Sequence, residues 1–217
     1  NFRDKKNWYI ESISLDNSLD HIALILDGNK RWAKKNNHSN LTGYTKGFEN
    51  ISNLVKYSLS INLKNLTIFT LSSENFNRSS INLIYKIIYE NFTKMINELI
   101  KDNGVKINIF GSREQLPKKI LEIFERSEEL SSKNNKINLN IAFNYGFKDE
   151  IRSIIKKIRN KDFDIDLENE AEIKKLFYLG EISDPDILIR TGGYQRLSNF
   201  IMYNLTYTEL FFTETLW

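Results

Sequence analysis

The sequence contains no cysteine. Disulfide frameworks, thiol nucleophiles and cysteine-ligated zinc or iron–sulfur centres are therefore excluded. Two histidines, His21 and His38, are too few for a multi-histidine metal site. Any metal must be held by oxygen, which points to Mg²⁺-like chemistry. Prolines number two, Pro117 and Pro185, and no Gly/Ser/Pro-rich stretch interrupts the chain, so no domain boundary is placed. No apolar run approaches the length of a membrane span. An excess of one charge is also lacking: 31 basic against 28 acidic residues give +3, without a basic run or an aromatic stacking motif. A nucleic-acid partner is not expected. Neither GxxxxGK[ST] nor GxGxxG occurs, and no serine sits in a nucleophile elbow, so P-loop, dinucleotide and acyl-transfer readings have no support.

What remains is ordinary globular material. Hydrophobic residues are 41% and charged residues 27% of 217, enough for a self-sufficient core. We expect one domain over 1–217. The chain opens on Asn1, shows no signal-peptide pattern and stops abruptly at Trp217, and its ends are expected to be incomplete.

Short apolar runs alternate with segments of helical period. The runs are Ile22–Leu26, Leu66–Leu71, Val105–Phe110, Ile137–Phe143, Ile187–Ile189 and a weaker one at Leu210–Thr213. Ile84, Ile87, Ile88, Met95, Ile96, Leu99 and Ile100 predict one helix, stopped by Gly104. Phe48–Leu59, Ile120–Phe124 (with Pro117 in its first turn) and Ile151–Ile158 predict three more. The fold class is α/β, a central mostly parallel six-stranded sheet flanked by helices.

The polar clusters follow the strands: Asp27–Arg31, Ser72–Asn75, Phe110–Arg113, Asn144–Gly146 and Arg190–Gly193. Open parallel sheets bind ligands outside the carboxyl ends of their strands, so five polar loops are expected on one rim. In the first, Gly28 permits a tight turn, Lys30 and Arg31 are cationic and Asp27 is a carboxylate at a strand tip. That set suits a Mg²⁺–diphosphate pair. It equally suits a surface turn in which Asp27 caps a helix, and so short a motif does not decide between them. The last loop carries Arg190, Arg196 and Ser198, a bidentate phosphate-binding vocabulary or a Gly-Gly turn with solvated arginines. Ser72, Ser73, Asn75 and Arg78 offer hydroxyls, an amide and a cation, or a helix cap.

In order, HIALILDGNKRWAKK over 21–35, LSSENFNR over 71–78, LNIAFNYG over 139–146, DILIRTGG over 186–193, RLSNF over 196–200 and ELFFTETLW over 209–217 resemble the cis-prenyltransferases. That family includes undecaprenyl and dehydrodolichyl diphosphate synthases. The resemblance implies condensation of isopentenyl diphosphate onto an allylic diphosphate, with Mg²⁺ as cofactor. It implies Asp27 as the essential acid and Asn75 as an aid to proton removal. Because a neutral amide is a very weak base, Asn75 is read as orienting a diphosphate oxygen. It further implies allylic diphosphate contacts from Gly28, Asn29, Lys30, Arg31, Trp32, Asn40, Tyr44 and Arg78, and substrate contacts from Ser72, Ser73, Glu74 and Phe76. Arg190, Arg196, Leu197 and Ser198 would hold isopentenyl diphosphate, and Asp27 and Glu209 would be the metal ligands.

Four positions depart from the family's usual residues: Asn40 for Arg, Tyr44 for His, Phe76 for Trp, and Tyr194 for an acid after the double glycine. Lys30, where bacterial members have glycine, suggests a dolichol-type product. The implied partners are a second copy or a related subunit, and a membrane surface touched through the lipid product. The implied compartment is the cytoplasm or the periphery of an intracellular membrane such as the endoplasmic reticulum. A non-catalytic subunit that binds polyprenyl phosphates is the competing reading. The survival of Asp27 and Glu209 argues for an active enzyme.

Overall fold

The computed structural model of the chain describes residues 19–76, 81–100, 104–160 and 165–217. Six strands form one sheet in which every pairing is parallel: β1 (His21–Ile25), β2 (Asn65–Ser72), β3 (Val105–Phe110), β4 (Ile137–Tyr145), β5 (Ile187–Arg190) and β6 (Glu209–Phe212). Their order is β3-β4-β2-β1-β5-β6. The chain leaves β1 toward β2 on one side and reaches β5 on the other. A crevice opens at the carboxyl ends where the connections part in this way.

The strands read as continuous apolar runs because both faces are covered. Against one face pack α2 (Asn40–Ser60), α3 (Ile81–Ile87), α4 (Thr93–Leu99) and α5 (Lys118–Ser131), enclosing Leu66, Ile68, Phe92, Ile96, Phe124 and Leu139. The other face holds Phe69, Phe110, Tyr145, Leu188 and Phe200. There Phe69 and Phe200 stack at 4.6 Å, directly behind the loop that carries Arg196 and Ser198. Polar residues in these buried strands are paired in register. Asn138 donates to Asn65 (2.8 Å), Asn140 to Thr67 (3.2 Å) and Asn108 to Asn140 (2.9 Å). His21 continues the stripe through Nε2 to Thr67 Oγ1 at 2.7 Å, and burial pushes its pKa down. A buried amide with its partners met costs little.

Two sequence expectations change. The helix read over Ile84–Ile100 is broken by one π-helical turn, Ile88–Phe92, where the Asn91 amide donates to the Ile87 carbonyl at 3.3 Å. Pro117 precedes α5 as its N-cap and does not lie in its first turn. Among the described residues, no helix is long and apolar enough to cross a membrane.

Candidate active site

The tip of β1 and the end of β5 meet through Asp27. Its backbone N–H donates to Thr191 Oγ1 (2.9 Å), and the same hydroxyl lies 2.7 Å from the Asp27 carbonyl. This fixes the carboxylate between two guanidinium groups. Arg31, one turn into α1 (Asn29–Lys35), donates to Oδ1 at 3.0 Å, and Arg190 donates to Oδ2 at 2.9 Å. Arg31 also donates to the Gly192 carbonyl, and Arg190 to Ser198 Oγ (2.6 Å) and the Arg196 carbonyl. The buried Arg190 Nε has no hydrogen-bond partner among the described residues. Such an orphan is costly in a folded interior and is tolerated where a site awaits a polar guest.

Gly28 is obligatory for geometric reasons. It has φ +133°, and an added Cβ would lie 2.6 Å from the Trp217 nitrogen. Trp217 crosses over the loop here, its backbone N–H donating to the Asp27 carbonyl (3.1 Å) and its indole to the Gly47 carbonyl (2.9 Å).

Asp27, Gly28, Arg31, Arg190, Arg196 and Ser198 line an open basin of about 930 Å³. Lys30, Arg31, Lys148, Arg190 and Arg196 face Asp27 and Glu74 across it, so its net charge is cationic. An apolar cavity of about 100 Å³ adjoins it, walled by Phe48, Ile51, Ile87, Ile88, Phe92, Met95 and Phe143 among others. Leu26, Asn29, Tyr44, Thr70 and Ile84 border both spaces. A charged head in the basin therefore has an apolar exit for a hydrocarbon tail.

Of the residues named from sequence, Asp27, Gly28, Asn29, Lys30, Arg31, Tyr44, Ser72, Glu74, Asn75, Arg190, Arg196 and Ser198 line the basin together. Asn75 ends a short 3₁₀ turn, and its amide has no partner among the described residues. Others stand aside. Trp32 stacks on His38 at 5.5 Å, and Asn40 is exposed as the first residue of α2. Ser73 donates to Asp149 Oδ2 at 2.6 Å, Phe76 packs on the helical core, and Leu197 packs on the opposite core. Arg78 lies outside the described residues. The third loop does not join the rim, because Arg113 is held by Glu128 of α5 at 2.7 Å.

Sequence reasoning missed Lys148, Asn199 and Met202, which also line the basin. The only signal for Lys148 was its place two residues after the Asn144–Gly146 cluster, at the start of α6 (Phe147–Arg159).

Glu209 is not brought to Asp27 within this chain. Strand β6 runs parallel to β5 with Glu209 opposite Ile187, at the amino end of the sheet, whereas Asp27 follows the carboxyl end of β1. Among the described residues no group of three or more His, Asp and Glu side chains could cage a metal. The basin still fits Mg²⁺, which commonly binds through one or two carboxylates and completes its shell with water and substrate phosphates. Asp27 and Glu74 are the carboxylates that line the basin.

Known proteins resemble the chain in sequence and in fold. A family model described as "Putative undecaprenyl diphosphate synthase" matches residues 25–217. An isoprenyl transferase of Oceanobacillus iheyensis is 37% identical over 93% of this chain and 82% of its own length. A tritrans,polycis-undecaprenyl-diphosphate synthase (geranylgeranyl-diphosphate specific) of Pyrococcus furiosus is 34% identical, covering 96% and 82%. The crystal structure of lavandulyl diphosphate synthase from Lavandula x intermedia, in complex with dimethylallyl diphosphate, superposes with a TM-score of 0.82. It is 30% identical over 92% of this chain and 88% of that one. On its sequence, its all-parallel sheet and its cationic basin, the chain belongs to the cis-prenyltransferase family.

Proposed function

We propose that this chain elongates a cis-prenyl chain, condensing isopentenyl diphosphate with an allylic diphosphate such as farnesyl diphosphate. The observation that carries the reading is the junction of cationic basin and apolar cavity at Leu26, Asn29, Tyr44, Thr70 and Ile84. The first loop (Gly28, Asn29, Lys30 and Arg31) takes the allylic diphosphate, placing its hydrocarbon at the cavity mouth. Arg190, Arg196 and Ser198 take isopentenyl diphosphate.

Breaking the allylic carbon–oxygen bond sends the electron pair out with the diphosphate. Arg31, anchored by Asp27 and the Gly192 carbonyl, and Lys30 beside it line the basin where that negative charge grows, so they favour the transition state over the bound substrate. The π electrons of isopentenyl diphosphate form the new carbon–carbon bond to the allylic carbon. A proton then leaves the resulting cation for a diphosphate oxygen, restoring a double bond. Asn75, at the basin wall, orients that oxygen; an amide is too weak a base to take the proton itself. The chemistry Mg²⁺ supplies when bound is neutralisation of phosphate charge, and Asp27 would hold it.

Residues 1–217 act in this reading as one catalytic domain. The exposed Tyr207, Leu210 and Phe211, on and beside edge strand β6, support pairing with a second copy or a related subunit. A lipid product supports peripheral contact with a membrane. The names of the family model and of the archaeal relative favour an undecaprenyl-type product and lend nothing to the dolichol-type one suggested by Lys30.

The test is incubation of purified protein with farnesyl diphosphate, labelled isopentenyl diphosphate and Mg²⁺, followed by chromatography of the dephosphorylated lipid. Label in a ladder of polyprenols is expected. No extractable label, with both substrates recovered intact, would overturn the reading.

A further inference from the structure

Three guanidinium groups, one from α1 and two from the end of β5 and the loop after it, converge on one aromatic ring. The Cζ atom of Arg196 lies 4.2 Å from the Tyr194 ring centroid, that of Arg31 4.9 Å and that of Arg190 5.7 Å. All three are within the roughly 6 Å reach of a cation–π contact. Arg31 and Arg190 have further anchors in Asp27, the Gly192 and Arg196 carbonyls, and Ser198. Arg196 does not. Its side chain is exposed, and among the described residues its one other polar contact is a long hydrogen bond from Nε to Ser198 Oγ, 3.4 Å.

Three like charges around one point repel, and Asp27 offsets only one of them. An exposed, flexible arginine in that field swings into water unless a neighbour holds it. A ring face holds it without contributing a negative charge that an incoming diphosphate would have to displace. The Tyr194 hydroxyl has no hydrogen-bond partner among the described residues, so the ring face is what the arginines use.

We propose that Tyr194 is a positioning residue whose ring holds Arg196 beside Arg31 and Arg190, shaping the basin for diphosphate before substrate arrives. The inference rests on the reading of the basin as a diphosphate site. Its effect is to lower the ordering cost of binding, which is how preorganised sites gain affinity.

The probe is inorganic pyrophosphate, with binding measured by calorimetry on the intact protein. Tyr194→Phe keeps the ring and is expected to bind as wild type does. Tyr194→Leu keeps apolar bulk but loses the ring face, and is expected to bind roughly three- to fivefold more weakly, the scale of an exposed cation–π contact. In an Arg196→Ala background, Tyr194→Leu is expected to change nothing further. A merely structural role would predict equal losses in both backgrounds. Because Tyr194 is 45% exposed, thermal midpoints of all variants are expected to match.

Tyr194→Leu binding as wild type, or losing the same factor with and without Arg196, would overturn the inference while leaving the basin reading in place. Failure of the wild-type protein to bind pyrophosphate at all would overturn both.

Discussion

Replacing Arg190 with lysine keeps the charge and removes the fork. The Arg190 side chain is 4% exposed and spans two anchors: one nitrogen serves Asp27 Oδ2 at 2.9 Å, the other Ser198 Oγ at 2.6 Å and the Arg196 carbonyl. A lysine ends in a single nitrogen and can serve one side only. The cost is one set of charge-assisted hydrogen bonds, about 1.5–3 kcal/mol, with little relief from solvent at a buried site. Taking about 2 kcal/mol and a urea m value of about 2 kcal/mol per M, the unfolding midpoint should fall by about 1 M. Catalysis should suffer as well, because the loop bearing Ser198 and Arg196 loses its tie to Asp27. At 1.4 kcal/mol per decade, kcat/KM for isopentenyl diphosphate should drop about 10- to 100-fold. Steady-state kinetics and urea titration of Arg190→Lys check both figures. A midpoint within about 0.3 M of wild type, with kcat/KM within about twofold, would refute the claim that this guanidinium joins the two diphosphate loops.

Asp27→Asn should cut turnover roughly a hundredfold or more, on the scale of losing a major electrostatic element, and EDTA should abolish activity that Mg²⁺ then restores; full activity in EDTA would remove Asp27's assigned role. Arg196→Ala should raise the KM for isopentenyl diphosphate far more than that for the allylic substrate, and Arg31→Ala should do the reverse; equal effects in both variants would dissolve the division into two pockets. A fourth prediction concerns pH and lies away from the site. Glu150 accepts from the Tyr145 hydroxyl (2.6 Å) and the Tyr178 N–H (2.7 Å), and burial pushes its pKa above the ordinary value of 4.5. The folded protein therefore holds this proton more tightly than the unfolded chain. The associated stability is fully present below pH 4.5 and is lost as pH rises through the folded pKa. Glu150→Gln should lose that slope, so its urea midpoint should gain on wild type between pH 4.5 and neutrality; parallel profiles would count against a raised pKa.

The strands were legible because burial on both faces leaves near-continuous apolar runs, and the rim was legible because a parallel sheet gathers the residues following each strand. What linear pattern could not show was register and capture. Nothing local in Glu209 says which end of β6 it occupies; only pairing with Ile187 does, and that separates it from Asp27. Arg113 follows a strand as the other loop cations do, but Glu128, fifteen positions on, turns it away. Lys148 was passed over because its helix start, not its neighbours in sequence, aims it into the basin. Nor does the sequence show that asparagines within the strands pair across β2, β3 and β4. The π turn at Ile88–Phe92 is a shift too small to disturb an apolar periodicity read at steps of three, four and seven.

The central claim is spatial: the basin holds the diphosphates and the apolar cavity receives the hydrocarbon. A crystal structure with isopentenyl diphosphate and a thiolodiphosphate analogue of farnesyl diphosphate tests it most directly. The account predicts one diphosphate against Gly28–Arg31, the other against Arg190, Arg196 and Ser198, and the farnesyl tail passing Tyr44 toward Phe92 and Met95. A tail lying in solvent, or either diphosphate bound away from these arginines, would contradict it.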